Sequence, residues 1–597
     1  MYLRGKEMKS YLVSLMLCVC LISCGDKKGA PPNEPDAKTA EEFAMELDGL
    51  SVDEFLRASF AELLLRDPEQ VLQEGRSAEL GLDQAEYTDI SDSYLDMTRA
   101  FYEVALTRLE SFKPDDMSPE QRQNIDVYRW WLNDQLSLMA FPEFRITALN
   151  SLSLDALFLG LHPLASMEDA SHYVEQLARL PAQYQALQDH LSKRQQAGVV
   201  DTKILMENVV GQMRSRASLT YEDDPIYQYY EQALVAAGAP QTDRQERLAE
   251  LVNILRNEVR PAQARLTQML EQMIDQAPDQ LGLSQYPDGE AYYQVILAHH
   301  LTSPVEVEAL YLLGMNELTR VQQEIKAEFE QLGYPVDEPL EQLFSTLEQS
   351  APLIEADEVV ATFESLVANA EAELDMAFHP VNILPPKIVA SFQDGYFPAA
   401  RDGSEPERFV VDSRTARPFY RMPSLAFHEG VPGHHLQIAT TQALDLPLVR
   451  TQPAITVYNE GWGLYAERLA FELGWFEQYQ LSNLGRLQWE ALRAARLVAD
   501  IGVNTKGWNW DQTQAFLVDN TGFPAEMVSG FVARFVVNPG QATAYTYGLL
   551  ELLAFREDAK LRLGEAFSLK DFHQVVLRAG PMPLPLLEQQ LSSLGVN

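Results

Sequence analysis

The run Phe427-His428-Glu429-Gly430-Val431-Pro432-Gly433-His434-His435-Leu436-Gln437 is where the reading of this chain turns. It holds three of the ten histidines within eight residues. About twenty residues on comes Tyr458-Asn459-Glu460-Gly461-Trp462-Gly463-Leu464-Tyr465-Ala466-Glu467. A hydrolytic zinc site needs three protein ligands from His and carboxylate side chains, with one position left open for water. A further carboxylate must take the proton of that water. His-Glu, a second His and a downstream Glu supply these roles. Residues four apart share a helix face, but here the second His lies six or seven positions after His428. Seven positions restore the face at a rise of about 10.5 Å, too far for two bonds of about 2 Å to one ion. The helix is therefore expected to bulge or break between the ligands, at Gly430, Pro432 and Gly433. Looping those residues out puts Gly433-His434 where a shorter His-Glu-x-Gly-His site has its Gly-His. His434 is preferred to His435 on that ground, with His435 the alternate ligand.

Outward from this segment the pattern is helical. Phe55, Phe60, Leu63 and Leu64 recur at near-helical spacing, and helical periodicity continues over about 85–112, 119–140, 168–197, 242–274 and 304–332. Ser118-Pro119 and Ser303-Pro304 read as helix starts, with a Ser cap and Pro at the first position. Only 386–393 and 407–412 alternate like strands, and both precede the histidine segment. The expected fold is mainly α: a large two-lobed helical body over 45–597, its lobes dividing near 290–300, with a small β element beside the site.

The chain has 597 residues, 46 Lys+Arg and 87 Asp+Glu, a formal charge of −41. That balance argues against a nucleic-acid binder, whose phosphate contacts need Lys and Arg, and against charge-driven docking on anionic lipid. With 46% hydrophobic residues the chain can bury a large core. The three cysteines are Cys18, Cys20 and Cys24, so no disulfide framework is expected in the body. Arg4, Lys6 and Lys9 precede an apolar run, Tyr11 to Ile22, too short to span a bilayer and shaped like a secretory signal. Leu21-Ile22-Ser23-Cys24 resembles a bacterial lipobox, which implies a signal peptide over 1–23 and lipidation of Cys24. Residues 24–44 read as a flexible tether. Gly25 rather than Asp after Cys24 favours the outer membrane, so the expected location is the bacterial cell envelope, lipid-anchored, facing the periplasm or exterior.

The segment Phe427–Gln437, with Asn459-Glu460-Gly461-Trp462 and Tyr465-Ala466-Glu467, resembles the bacterial family of domain of unknown function 885. Weaker likenesses are Arg496 to Gly502, Lys506-Gly507-Trp508, Pro539-Gly540-Gln541-Ala542, Tyr545 and the helix Val305–Gly333. That family looks like a distant relative of the gluzincin metallopeptidases, such as carboxypeptidase Taq and the angiotensin-converting-enzyme-like peptidases. The resemblance implies one zinc ion per chain on His428, His434 and Glu460, with Glu429 as general base. It implies a deep cleft between helical lobes, short peptides as substrates, and carboxypeptidase or dipeptidyl carboxypeptidase action. The rival class is a lipid-anchored peptide-binding protein with a catalytically silent metal site.

Other residues keep two readings. Glu467, on the face of Glu460 two turns on, backs the metal ligands or pairs at the surface. Tyr545 donates to an oxyanion or is an ordinary buried aromatic, with Tyr547 as competitor. Arg496 binds a peptide carboxylate or, more plainly, lies on a solvated helix face or in a structural ion pair. Asp500 stands with Arg496 among the residues expected around the metal or substrate. Asn504 stands where relatives often carry His. His299-His300 reads as a capped helix end rather than a second metal site, and Trp130-Trp131 as core.

Overall fold

The computed structural model describes residues 38–595, apart from 83–86, 153, 155–157, 159–165, 402, 404, 452–453. The signal peptide, Cys24 and the tether up to residue 37 lie outside the described residues. Residues 40–44, expected in the tether, are helical instead. They open the helix Ala40–Leu47, where the Thr39 hydroxyl accepts from the Glu42 amide and the Glu42 carboxylate accepts from the Thr39 amide. Such a reciprocal cap satisfies two backbone donors at once.

The body is mainly helical, as the periodicity implied. It divides into two compact units. The first comprises the described residues of 38–51, Ala58–Ser111 and Gln135–Gln280. The second comprises Val52–Arg57, Phe112–Asp134 and the described residues from Leu281 onward.

The first unit is built on long helices, among them Asp92–Leu109, Met167–Gln196, Lys203–Ala217 and Arg260–Ile274. Leu177, Leu180, Tyr184 and Leu187 bury one stripe of Met167–Gln196. Arg194 at its end makes a bidentate bond to Asp201, at 2.9 Å twice, with both side chains buried.

In the second unit the elements that position the site are, in chain order, α1 (Gly289–Leu301), α2 (Val307–Gln331), β1 (Lys387–Ser391), β2 (Gly395–Phe397), β3 (Arg408–Asp412), α3 (Met422–Glu429), α4 (His434–Gln442), α5 (Thr456–Glu472), α6 (Ser482–Lys506), α7 (Ala525–Val537) and α8 (Thr543–Leu563). Ser118 caps the helix Pro119–Met139 as expected, accepting from the Gln121 amide at 3.1 Å. Ser303 does not cap α2, which starts at Val307; the Ser303 hydroxyl is bonded to Tyr547.

Both expected strands form. β1 and β3 run parallel with Ile388 opposite Phe409, and β2 joins β3 antiparallel, giving the order β1-β3-β2. Ile388, Phe409 and Val411 point into the core of the unit, where Phe409 meets Phe363 edge-on at 5.3 Å. Trp130 packs against the same core.

α6 is buried on almost every side. A helix in that position should be apolar all round, yet Arg486, Glu490, Arg493, Arg496, Asp500 and Asn504 recur at steps of three and four. They form one polar stripe inside the unit.

Candidate metal centre

The helix expected to break between the histidines does break. α3 ends at Glu429, residues Gly430 to Gly433 form a turn with a cis peptide before Pro432, and α4 restarts at His434. A Cβ on Gly433 would lie 1.8 Å from the His428 carbonyl oxygen, so only glycine lets α4 fold back this closely. The Trp462 indole on α5 donates to the Pro432 carbonyl at 2.9 Å and pins the turn.

This detour brings the two rings to one point. His428 and His434 lie edge to face with centroids 4.7 Å apart. Their Nε2 atoms are 3.6 and 3.4 Å from the same Glu460 oxygen, Oε2. The ligand atoms of all three residues lie within 4.8 Å of one another. Ligands about 2.1 Å from a tetrahedral ion sit about 3.4 Å apart, so this donor set fits a zinc-sized cation. Among the described residues it is the one such cluster of His and carboxylate groups.

A second layer fixes the rings. The His428 Nδ1 donates to Glu467 Oε1 at 2.8 Å, so Nε2 keeps its lone pair for the common point. Ser424, one turn back on α3, donates to the other oxygen of Glu467. Glu467 is buried and thus belongs to this layer rather than to the surface. Burial alone would raise its carboxyl pKa, but the bond from His428 holds it below the usual value. Burial likewise opposes charge on His428, yet Glu460 and Glu467 outweigh it and push its pKa up to about 10. A pocket that favours a proton so strongly favours a cation for the same reason. Room for the ring comes from Gly463, where a Cβ would stand 2.5 Å from His428 Cε1.

Glu429 follows the first histidine. Burial raises its carboxyl pKa, and the neighbouring charges of His428 and His434 work against that rise. His435 leaves the cluster altogether. Its Nε2 donates to the Leu384 carbonyl at 2.7 Å, so its Nδ1 accepts from the Tyr396 hydroxyl on β2 at 3.1 Å. Of the two, His434 is the one that stands in the cluster with His428 and Glu460.

Tyr545 on α8 is buried. Burial and the charge of Glu460 raise its pKa, and the Gln541 amide donates to its hydroxyl at 3.3 Å. Tyr547 instead faces Ser303. Asp500 touches none of the cluster. Its Oδ1 accepts from Tyr293 at 2.7 Å, from the Gly540 amide at 2.8 Å and from Asn504 at 3.3 Å, tying α6 to α1 and to the turn before α8. Burial pushes its pKa up to about 7. Asn504 also bonds Leu283 and Phe535, so it is a structural tie between segments of the unit.

Arg496 makes no ion pair with the described residues; its guanidinium lies over the rings of Tyr545 and Phe531 at 4.7 and 4.8 Å. Ser424, Gly463 and Arg493 were not singled out from the sequence. The helical spacing Ser424–His428 was a usable signal for the first; the others needed the packing of α5 and α6. His299 and His300 do not converge: one bonds Asp134 at 2.9 Å, the other Thr456 at 3.2 Å.

The description "Bacterial protein of unknown function (DUF885)" matches residues 68–591. No curated protein matches the chain. Several solved structures share the fold, two of them as follows. A "putative lipoprotein" from Colwellia psychrerythraea aligns at TM-score 0.81 and 22% identity, over 93% of this chain and 99% of that one. A "putative lipoprotein of unknown function" from Shewanella oneidensis aligns at TM-score 0.73 and 18% identity, over 91% and 100%. No helix of the described residues is long and apolar enough to cross a membrane.

Proposed function

The chain belongs to the bacterial DUF885 family, and from that premise we propose that it is a zinc-dependent peptidase acting on short peptides. The observation that carries this reading is the convergence of His428, His434 and Glu460 on one point, with Glu429 next in sequence to the first of them. A zinc ion held by those three residues would supply a Lewis acid beside Glu429.

The chain's own residues supply the rest. Glu429 takes a proton from the attacking water, whose oxygen bonds to the scissile carbonyl carbon. The carbon–nitrogen bond then breaks, and Glu429 returns the proton to the leaving amine. A carboxylate raised by burial is the better base near neutral pH, because its proton affinity is closer to the task. Tyr545 keeps its proton, since burial raises its pKa, and donates to the developing oxyanion. Glu467 and Ser424 hold the His428 tautomer throughout.

The lipobox-like Cys24 and the naming of both structural neighbours as lipoproteins support a lipid anchor in the cell envelope, and Gly25 after Cys24 favours the outer membrane. The test is a mixed peptide library incubated with the zinc-loaded protein and read by mass spectrometry, with Glu429→Gln as control. Cleavage that disappears in Glu429→Gln while zinc stays supports the peptidase. Stoichiometric zinc with no cleavage of any peptide contradicts it and favours the peptide-binding protein.

A further inference from the structure

His300 holds no metal, yet it is buried between the two arms that carry the candidate site. Its Nδ1 lies 3.2 Å from the hydroxyl of Thr456, the first residue of α5. The ring also engages the Asn538 side chain and the Pro539 backbone, in the connection from α7 to α8. Burial and the neighbouring His299 hold its pKa well below the usual imidazole value, so the ring is neutral, with one donor and one acceptor. Pro539 has no amide hydrogen, so its carbonyl takes the ring N–H. Nδ1 is then the acceptor, and the Thr456 hydroxyl donates to it.

Both arms lead to the metal centre. Thr456 precedes Glu460 by four residues and shares its helix face. Pro539 leads through Gly540 and Gln541 into the first turn of α8, where Tyr545 sits. The Gly540 carbonyl accepts from the Thr543 amide at 3.0 Å, and the Gln541 amide donates to the Tyr545 hydroxyl at 3.3 Å. Gly540 has φ +79°, and a Cβ there would stand 2.9 Å from Ile296 and 3.4 Å from the His300 ring, so this turn lies directly against α1. Farther along, α5 and α8 touch backbone to backbone: a Cβ on Gly461 would lie 2.7 Å from the Gly548 Cα. The two arms are thus fixed to each other twice, once at these glycines and once through His300. In sequence, Glu460 and Tyr545 fall between the two fixtures, and they interact electrostatically.

We propose that His300 is a positioning residue of the metal centre. It braces the start of α5 against the turn ahead of α8, and so sets the reach of the Tyr545 hydroxyl toward the oxyanion relative to the Glu460 ligand. This rests on the peptidase reading and deepens it. A leucine would fill the same space and make neither polar contact, so the brace is separable from packing.

The test is equilibrium dialysis of a mixed pool of tripeptides, and of their phosphinic counterparts, against the zinc-loaded Glu429→Gln protein, with mass spectrometry as readout. In the counterparts a tetrahedral phosphinate stands where the scissile amide was, so one of its oxygens takes the place of the oxyanion. Tyr545→Phe should lower retention of the phosphinic peptides at least about tenfold and leave that of the plain peptides nearly unchanged. His300→Leu should lower it by about the same factor, because a displaced hydroxyl is nearly as costly as a missing one. Added to Tyr545→Phe, His300→Leu should cost nothing further. His300→Gln, which keeps a neutral donor and acceptor, should restore part of the loss. Thr456→Val removes one contact at nearly constant volume and serves if His300→Leu does not fold. Zinc should stay stoichiometric in every variant by metal analysis. Phosphinic retention untouched by His300→Leu and Thr456→Val overturns the brace. So does a loss that adds to that of Tyr545→Phe, a loss shared equally by plain peptides, or a loss of zinc. Because binding is read without turnover, the predicted coupling in a protein that cleaves nothing would leave the brace standing and remove only the peptidase. Cleavage by the parent protein without that coupling would do the reverse.

Discussion

Two pairs of histidines in the second unit have nearly the same ring spacing, 4.7 Å for His428 and His434 and 4.9 Å for His299 and His300. They differ in where their nitrogens point. In the first pair both Nε2 atoms face one carboxylate oxygen of Glu460, and the far nitrogen of His428 is held by Glu467. In the second pair, one ring bonds Asp134 and the other Thr456, so no common point exists. Adjacency of imidazoles is therefore no sign of a metal site; convergence of lone pairs, with the opposite nitrogen tied back, is. The break at Gly430 to Gly433 creates that convergence. The unbroken α1 holds His299 and His300 one residue apart, where helix geometry points them in different directions.

The comparison can be broken most decisively at the ligands themselves. His434→Ala should lose stoichiometric zinc, measured by metal analysis after dialysis, whereas His300→Ala should keep it. Zinc lost from both, or from neither, would erase the distinction. Next in size, Glu429→Gln should keep zinc and lower peptide hydrolysis by about 10²–10⁴-fold. Glu467→Gln should weaken zinc by about 10–100-fold in a chelator competition, because the His428 tautomer is no longer fixed; an unchanged affinity would make Glu467 a bystander. Gly463→Ala should cost about 1–3 kcal/mol in denaturant unfolding, since its Cβ meets the His428 ring at 2.5 Å. The smallest effect belongs to the second pair. Burial opposes charge on His299, but Asp134 outweighs it and raises its pKa. The resulting stability is present below the unfolded value of about 6.5 and is lost as pH rises through the folded value. His299→Gln should therefore destabilise more at pH 6 than at pH 9, with zinc unchanged.

The same contrast explains what was legible beforehand. The broken helix was readable because spacing and bond length conflict, and only Gly430, Pro432 and Gly433 could resolve the conflict. The choice of His434 followed from the same break. The strands at 387–391 and 408–412 carried alternation, but β2, three residues long, carried too little to be seen. Tyr396 on that strand is what draws His435 away, so its fate needed tertiary contacts. Ser303 looked like a cap because the sequence does not reveal that Tyr547 engages its hydroxyl. Arg493 was invisible for a related reason: an arginine in a helix reads as solvated until burial on all sides is known. Asp500 was expected near the chemistry and proves to be a tie between helices, a difference set by Tyr293, more than two hundred residues away in sequence.

The most direct test of the central claim is anomalous diffraction at the zinc edge from crystals of the zinc-loaded protein. One peak within about 2 Å of His428 Nε2, His434 Nε2 and a Glu460 carboxylate oxygen is the predicted result. A protein that binds zinc stoichiometrically but shows its peak elsewhere, or shows none at these three residues, would contradict it.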